Sequence, residues 1–171
     1  MPHVYRLHCR QRLALDLDQA WTFFRDPHNL AAITPGYLGF SIVAPVPAEI
    51  RTGLLIEYRV AVLAGLRVRW LTEIKAVEPP HRFIDEQRFG PYALWLHEHR
   101  FTAVEGGVEC EDLVHYALPL GWLGRLVHAL YVRGQLAAIF AYRAQVLARR
   151  FGSCCRLTAD EGGAALGAHD L

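Results

Sequence analysis

Apolar and polar residues alternate along the chain as far as residue 118, and a helical period takes over beyond it. Tyr5, Leu7, Cys9, Leu13 and Leu15 fall on one side of a first strand. In "DLDQAWTFFRDP" the period lengthens, and Asp18 is placed to cap a short helix carrying Trp21 and Phe24 three positions apart. Asp26-Pro27 supplies a cap and a first-turn proline for a second short helix, "HNLAAIT", which Pro35-Gly36 ends. Six more strands are expected near 39–45, 53–63, 67–77, 82–89, 93–104 and 108–118, with turns at Pro45/Pro47, Gly65, Pro79-Pro80, Gly90-Pro91 and Gly106-Gly107. Connections this short imply an antiparallel meander. From Arg125 to Phe151, Leu126, Leu130, Ala137, Phe140, Ala144 and Leu147 approximate a 3.6-residue repeat, so one long helix closes the domain. Gly134 lies within it, as a bend, a close approach or a tolerated glycine. The domain is expected to span residues 1–151, and the aperiodic remainder, 152–171, reads as a disordered tail.

The stretch "ALWLHEHRF" puts Trp95, His97, His99 and Phe101 on one face of a strand, because alternate side chains point the same way. Pairing extends that face to its neighbours. A three-residue loop at Gly90-Pro91-Tyr92 sets Asp85 opposite His97, whereas a two-residue loop would bring Glu86 there instead. The three-residue choice collects Glu57, Arg59, Arg69, Glu73, Glu98 and Arg100 on the opposite face, as expected of a solvated sheet surface. The inner face then holds Trp70, Phe83, Phe89, Trp95 and Phe101. Polar Tyr58, Thr72, Asp85, Gln87, His97, His99, Asp112 and Tyr116 lie among them. A turn at Gly106-Gly107 predicts one row across four strands, Ile74–Asp85–His97–Tyr116.

Three readings of this polar row stand side by side. It is a satisfied hydrogen-bond network in a filled core, as in a non-catalytic interaction domain. It is a pocket that buries an apolar molecule and orients it through Tyr58, Trp70, Thr72, Asp85, Gln87, Trp95, His97, His99 and Tyr116. Or it is a catalytic pair, His97 as acid or base with Asp85 orienting it. No serine or cysteine is placed as a nucleophile, so no catalytic residue is assigned. Two strand histidines two apart, with Asp85 or Asp112, also suit a metal, but that spacing is generic; no metal or cofactor is assigned.

Composition narrows the partners. The 171 residues are 53% hydrophobic and 20% charged with a formal charge of +1, the profile of a folded domain without an obvious nucleic-acid surface. No apolar run approaches bilayer length, and "MPHVYRLHCR" reads as a strand rather than a signal peptide, so a cytoplasmic location is expected. Between Asp112 and Asp160 the chain is basic without an acidic residue, which suits solvated arginines or transient contact with an anionic membrane. In "PLGWLG", Leu120, Trp122 and Leu123 suit an apolar lid or an anchor for the following helix. The adjacent Cys154 and Cys155 read as part of the tail.

The order of elements resembles the helix-grip fold of the START-like, or SRPBCC, superfamily, which includes polyketide cyclase/dehydrase-like and ligand-binding proteins. The resemblance rests on "AWTFFRDPHNLAAITP", on "RFIDEQRFGPYALWLHEHRF" and on the long C-terminal helix. It implies an α+β fold with a curved antiparallel sheet of about seven strands, two short helices and a long C-terminal helix. It further implies a cavity between sheet and helix for a hydrophobic small molecule such as a lipid, isoprenoid or polyketide-like compound. A cyclase or dehydratase using His97 and Asp85 is the alternative the superfamily allows.

Overall fold

The computed structural model describes residues 3–62 and 65–159, the last six of these by backbone alone. Strand β1 (Val4–Leu13) leads into α1 (Leu17–Phe24) and two 3-10 turns, Pro27–Ile33 and Gly36–Leu38. A meander follows: β2 (Ser41–Ile42), β3 (Leu55–Ala61), β4 (Arg67–Glu78), β5 (Arg82–Phe89), β6 (Leu94–Val104) and β7 (Gly107–Ala117). The chain then forms one uninterrupted helix in three parts. These are α2 (Gly121–Val127), a π-helical turn (His128–Val132) and α3 (Arg133–Phe151). Strand β8 (Ser153–Ala159) completes an antiparallel sheet ordered β2-β3-β4-β5-β6-β7-β1-β8.

Local chemistry explains the starts of the short helices. Asp16, not Asp18, caps α1: its side chain accepts from the Gln19 N–H while the Gln19 side chain accepts from the Asp16 N–H. Asp26 accepts from the His28 N–H and Pro27 occupies the first helical position, as expected. Both helices close one end of the curved sheet. Trp21 packs edge-on against Phe83 and Phe101, and Phe23 against Phe151, in the larger apolar core.

Several expectations shift. The long helix begins at Gly121 rather than Arg125, hidden in sequence by its glycines. The stretch from 152 does not leave the fold at once, since Ser153–Ala159 pairs with β1. The side chains of Cys154 and Cys155, and residues 160–171, lie outside the described residues. Strand β2 is confined to two residues.

Register decides what faces inward. Asp85 pairs with His97, which requires the odd-length loop after Phe89. Val104 pairs with Gly107, so Glu105-Gly106 forms the next turn and each partner moves by two positions. His97 therefore faces Val114, His99 faces Asp112, and Tyr116 lies opposite Trp95 instead of His97. A slip of two preserves the face, and the inner surface survives except at Phe89. A register shift after Thr72 pairs Phe89 with Leu71 and leaves it 66% exposed on the outside. The outer surface carries the expected charge pairs, including Arg12–Glu109, Arg82–Glu98 and Arg88–Glu73, each at 3.1 Å. Such exposed pairs contribute only about 0–1 kcal/mol each. They mark the solvated face more than they stabilise it.

Candidate functional site

The helix lies over the inner face of the sheet without filling the space beneath it. A cavity of about 530 Å³ remains, within the size range of small-molecule sites. Its walls are largely apolar: Phe24, Leu30 and Ile33 from the short helices, Ile56, Trp70 and Trp95 from the sheet, Leu136, Ile139 and Phe140 from α3. A filled core is thereby ruled out. Of the residues expected to meet a ligand, Tyr58, Trp70, Thr72, Asp85, Trp95, His97 and His99 border this space.

Gln87 and Tyr116 do not. The Gln87 amide donates to the Tyr92 carbonyl at 2.8 Å and accepts from the Tyr92 N–H at 3.3 Å, so it secures the β5–β6 loop. Tyr116 lies behind the wall, its hydroxyl 2.8 Å from His128 Nε2 in the π-helical turn. Tyr5 stacks on the same imidazole with ring centroids 3.5 Å apart. Burial, with Arg133 and His3 nearby, holds His128 below the usual histidine range. Single π turns inside α-helices are rare; this one carries the Tyr5–His128–Tyr116 contact.

The polar end of the cavity is a cluster from β5, β6, β7 and α3. His97 and His99 are each 6% exposed and stand side by side, ring centroids 3.8 Å apart. Asp85 Oδ2 lies 3.6 Å from His97 Nδ1 and 3.2 Å from His99 Nε2. The other two ring nitrogens, His97 Nε2 and His99 Nδ1, each lie 2.9 Å from Asp112 Oδ1. Arg143 reaches in from α3, Nη1 3.6 Å from the same oxygen. Phe83 stacks on His99 and Phe140 meets His97 edge-on. The imidazoles thus sit between two carboxylates, His97 hydrogen-bonded to Asp112 and His99 to Asp85, and are packed between two aromatic rings.

The environments push the two histidines apart. Burial, then the neighbouring His99, lowers His97 below the usual range and keeps it neutral. Burial opposes charge on His99 too, but hydrogen bonds to Asp112 and Asp85 outweigh it and raise its pKa. Burial likewise works against the Asp112 carboxylate, yet Arg143 and the two imidazoles hold its pKa well below the usual range. Two acidic side chains and one guanidinium thus surround two imidazoles whose affinities for a proton are pushed in opposite directions. Such a pair at the edge of a cavity can accept or donate a proton to a polar group lodged there.

The strand pattern places Asp112 on the inner face but not among the ligand residues, and in the structure it organises the cluster from behind. Arg143 is a site residue that the sequence reading misses, because its charge reads as solvated. Its position carries the signal: it falls in the buried series Leu136, Phe140, Arg143, Ala144, Leu147 on one side of the helix. Leu120 and Leu123 border the cavity mouth, as a lid would require, whereas Trp122 is 71% exposed and turns away from it.

No protein-family model matches the chain, and no curated protein matches it. Solved structures do. A Rhodobacter sphaeroides protein is 25% identical, with a TM-score of 0.61 over 84% of this chain and 89% of its own. A Thermus thermophilus protein is 20% identical, with a TM-score of 0.62 over 85% of this chain and 95% of its own. The protein Ara h 8.0201 is 16% identical, with a TM-score of 0.54 over 85% of this chain and 99% of its own. Together with the sheet order and the spanning helix, these likenesses define the class: a helix-grip fold of the START-like, or SRPBCC, type. Among the described residues no helix is long and apolar enough to cross a membrane.

Proposed function

We propose that this domain binds a hydrophobic small molecule, of lipid, isoprenoid or polyketide-like character, between its sheet and long helix. The observation that carries the reading is the cavity itself: about 530 Å³ of mostly apolar space with its buried charged groups gathered at one wall. Apolar walls supply affinity by burial, and a few convergent polar groups fix orientation. Asp85, His97, His99 and Arg143 would receive the polar end of the guest, with Tyr58 and Thr72 along the β3–β4 wall. Native mass spectrometry of the purified chain, followed by a fluorescent fatty-acid displacement assay, tests it. Ile139→Trp fills the apolar wall without touching the polar cluster and is expected to lower occupancy at least tenfold. A chain that carries no guest and binds none of a broad lipid and polyketide panel would sink the reading.

A cyclase or dehydratase is the second reading, and the 3.6 Å approach of Asp85 to His97 at the cavity edge favours it. It requires His97→Gln to abolish turnover of a bound guest while leaving its binding within a few-fold.

The cavity mouth supports transient contact with an anionic membrane. Leu120, Trp122 and Leu130 are 74%, 71% and 77% exposed, with Leu123 and Leu126 between them and Arg125 on the same helical segment. Apolar side chains beside a cation, at the entrance to an apolar cavity, suit exchange of guests with a bilayer surface. A cytoplasmic setting belongs to the same proposal and accords with the free thiols of Cys9 and Cys110.

A further inference from the structure

The two histidines present their four ring nitrogens in an ordered way. His97 Nδ1 and His99 Nε2 turn toward Asp85, while His97 Nε2 and His99 Nδ1 turn toward Asp112. Asp85 and both imidazoles border the cavity, but Asp112 does not. One carboxylate therefore stands on the cavity side of the pair and one behind it. That is the division of labour found where histidines bind metals: one ring nitrogen coordinates, and the other donates to a carboxylate that fixes tautomer and orientation. Asp112 Oδ1 lies 2.9 Å from both imidazoles, hydrogen-bonded to His97 Nε2, and Arg143 at 3.6 Å offsets its charge.

We propose that Asp85, His97 and His99 form a binding site for a first-row divalent transition metal, with the remaining coordination positions opening into the cavity. Asp85 Oδ2 would be one ligand, with His97 Nδ1 and His99 Nε2 as the others. The three residues offer donor atoms within 4.8 Å of one another, and the two nitrogen–oxygen separations are 3.2 and 3.6 Å. Neighbouring ligands around an ion with bonds of about 2.0–2.2 Å lie at such separations. Two imidazoles and one carboxylate suit Zn²⁺, Fe²⁺ or Co²⁺ more than Mg²⁺ or Ca²⁺, which take oxygen donors.

A second observation points to what completes the shell. Arg143 is 8% exposed and borders the cavity, yet its Nε is buried with no hydrogen-bond partner. A buried guanidinium donor left open on a residue that lines the cavity calls for an oxygen acceptor, such as a carboxylate, enolate or diketone oxygen on the guest. This part rests on the cavity reading proposed above; the metal site itself does not.

Chelator-treated, delipidated protein titrated with Co²⁺ tests the site. The expected result is a stoichiometry of one by elemental analysis, with visible d–d absorption typical of mixed nitrogen and oxygen ligation. Asp85→Asn and His99→Gln should each weaken binding at least a hundredfold. Asp112→Asn, which removes the orienting carboxylate and leaves the three ligands in place, should weaken it about 10–100-fold in protein shown to be folded. Two results overturn the proposal. One is wild-type protein that binds no Co²⁺ or Zn²⁺ at millimolar concentration, the cluster then holding a proton where an ion was expected. The other is binding that survives both ligand substitutions. The wild-type titration needs no variant to fold. Metal binding without any apolar guest would leave this site standing and defeat the cavity reading alone.

Discussion

Arg143 of α3 and Asp112 of β7 meet behind the paired histidines, guanidinium Nη1 3.6 Å from carboxylate Oδ1. Arg143 is buried and Asp112 nearly so, and theirs is an electrostatic contact that ties the long helix to the polar end of the sheet. Such a pair contributes little against a well-packed apolar replacement, but removing one partner strands the other. Asp112→Asn is therefore expected to cost about 3–5 kcal/mol in urea unfolding. Replacing Arg143 by Met in the same chain should restore much of the loss. Single and double variants that lose stability additively would show that the two groups do not interact.

Two of the three glycines in the helix carry opposite expectations. A Cβ on Gly124 would meet the Pro119 carbonyl oxygen at 2.2 Å, a backbone atom that cannot swing aside. Gly124→Ala should destabilise by about 1–3 kcal/mol, as overpacking does. A Cβ on Gly134 meets nothing within 4 Å. Gly134→Ala should raise stability by up to about 1 kcal/mol through helix propensity alone. The contrast also answers what this glycine does: it is tolerated, not required. Thermal or urea melts of the two variants check both signs.

At the mouth, Trp122→Glu with Leu126→Glu should abolish co-sedimentation with phosphatidylglycerol vesicles. Stability should move by no more than about 0.5 kcal/mol, since both side chains face solvent. Equal binding to phosphatidylcholine vesicles, or binding unaffected by the substitutions, would exclude an anionic bilayer as the partner of this face.

His128 gives a pH signature. Its folded-state pKa lies below the ordinary 6.5, from burial first and then from Arg133 and His3. The unfolded chain thus takes up the proton before the folded one. The stability this neutral imidazole contributes is complete above about pH 6.5 and is lost as pH falls toward the depressed value, at no more than about 1.4 kcal/mol per pH unit. Tyr5 from β1 and Tyr116 from β7 pack against it, and neither supplies a compensating negative charge at that pH. His128→Gln should flatten this part of the profile. His97 is lowered as well, so the difference between wild type and variant is the quantity to read from melts at pH 5 to 7.

The face of the strands was legible, Phe89 beyond its register shift excepted, because charge alternation on the outside admits only one phase for β5 and β6. Exact partners were not, since a turn shifted by two residues exchanges Tyr116 for Val114 beside His97 without moving either to the other face. Gln87 has the inward parity expected of it, but its amide is used by the Tyr92 backbone, a loop contact that no strand pattern encodes. Arg143 was disguised by its charge, because its burial depends on Asp112 of a distant strand and a pair across distant elements leaves no local trace. Strand β8 follows the helix with no alternation to announce it.

The π turn has a consequence for everything beyond it. Cavity-facing positions advance from Leu123, Gly124 and Val127 to Tyr131, Val132, Gln135 and Leu136, one step being widened where the helix loosens at His128–Val132. That turn holds one residue more than an α turn does over about the same rotation. A residue deleted there would leave an ordinary α-helix, with Phe140 and Arg143 still beneath the sheet. The irregular turn is thus slack taken up in the middle of one rod, between a greasy rim at its beginning and a charged anchor deep inside.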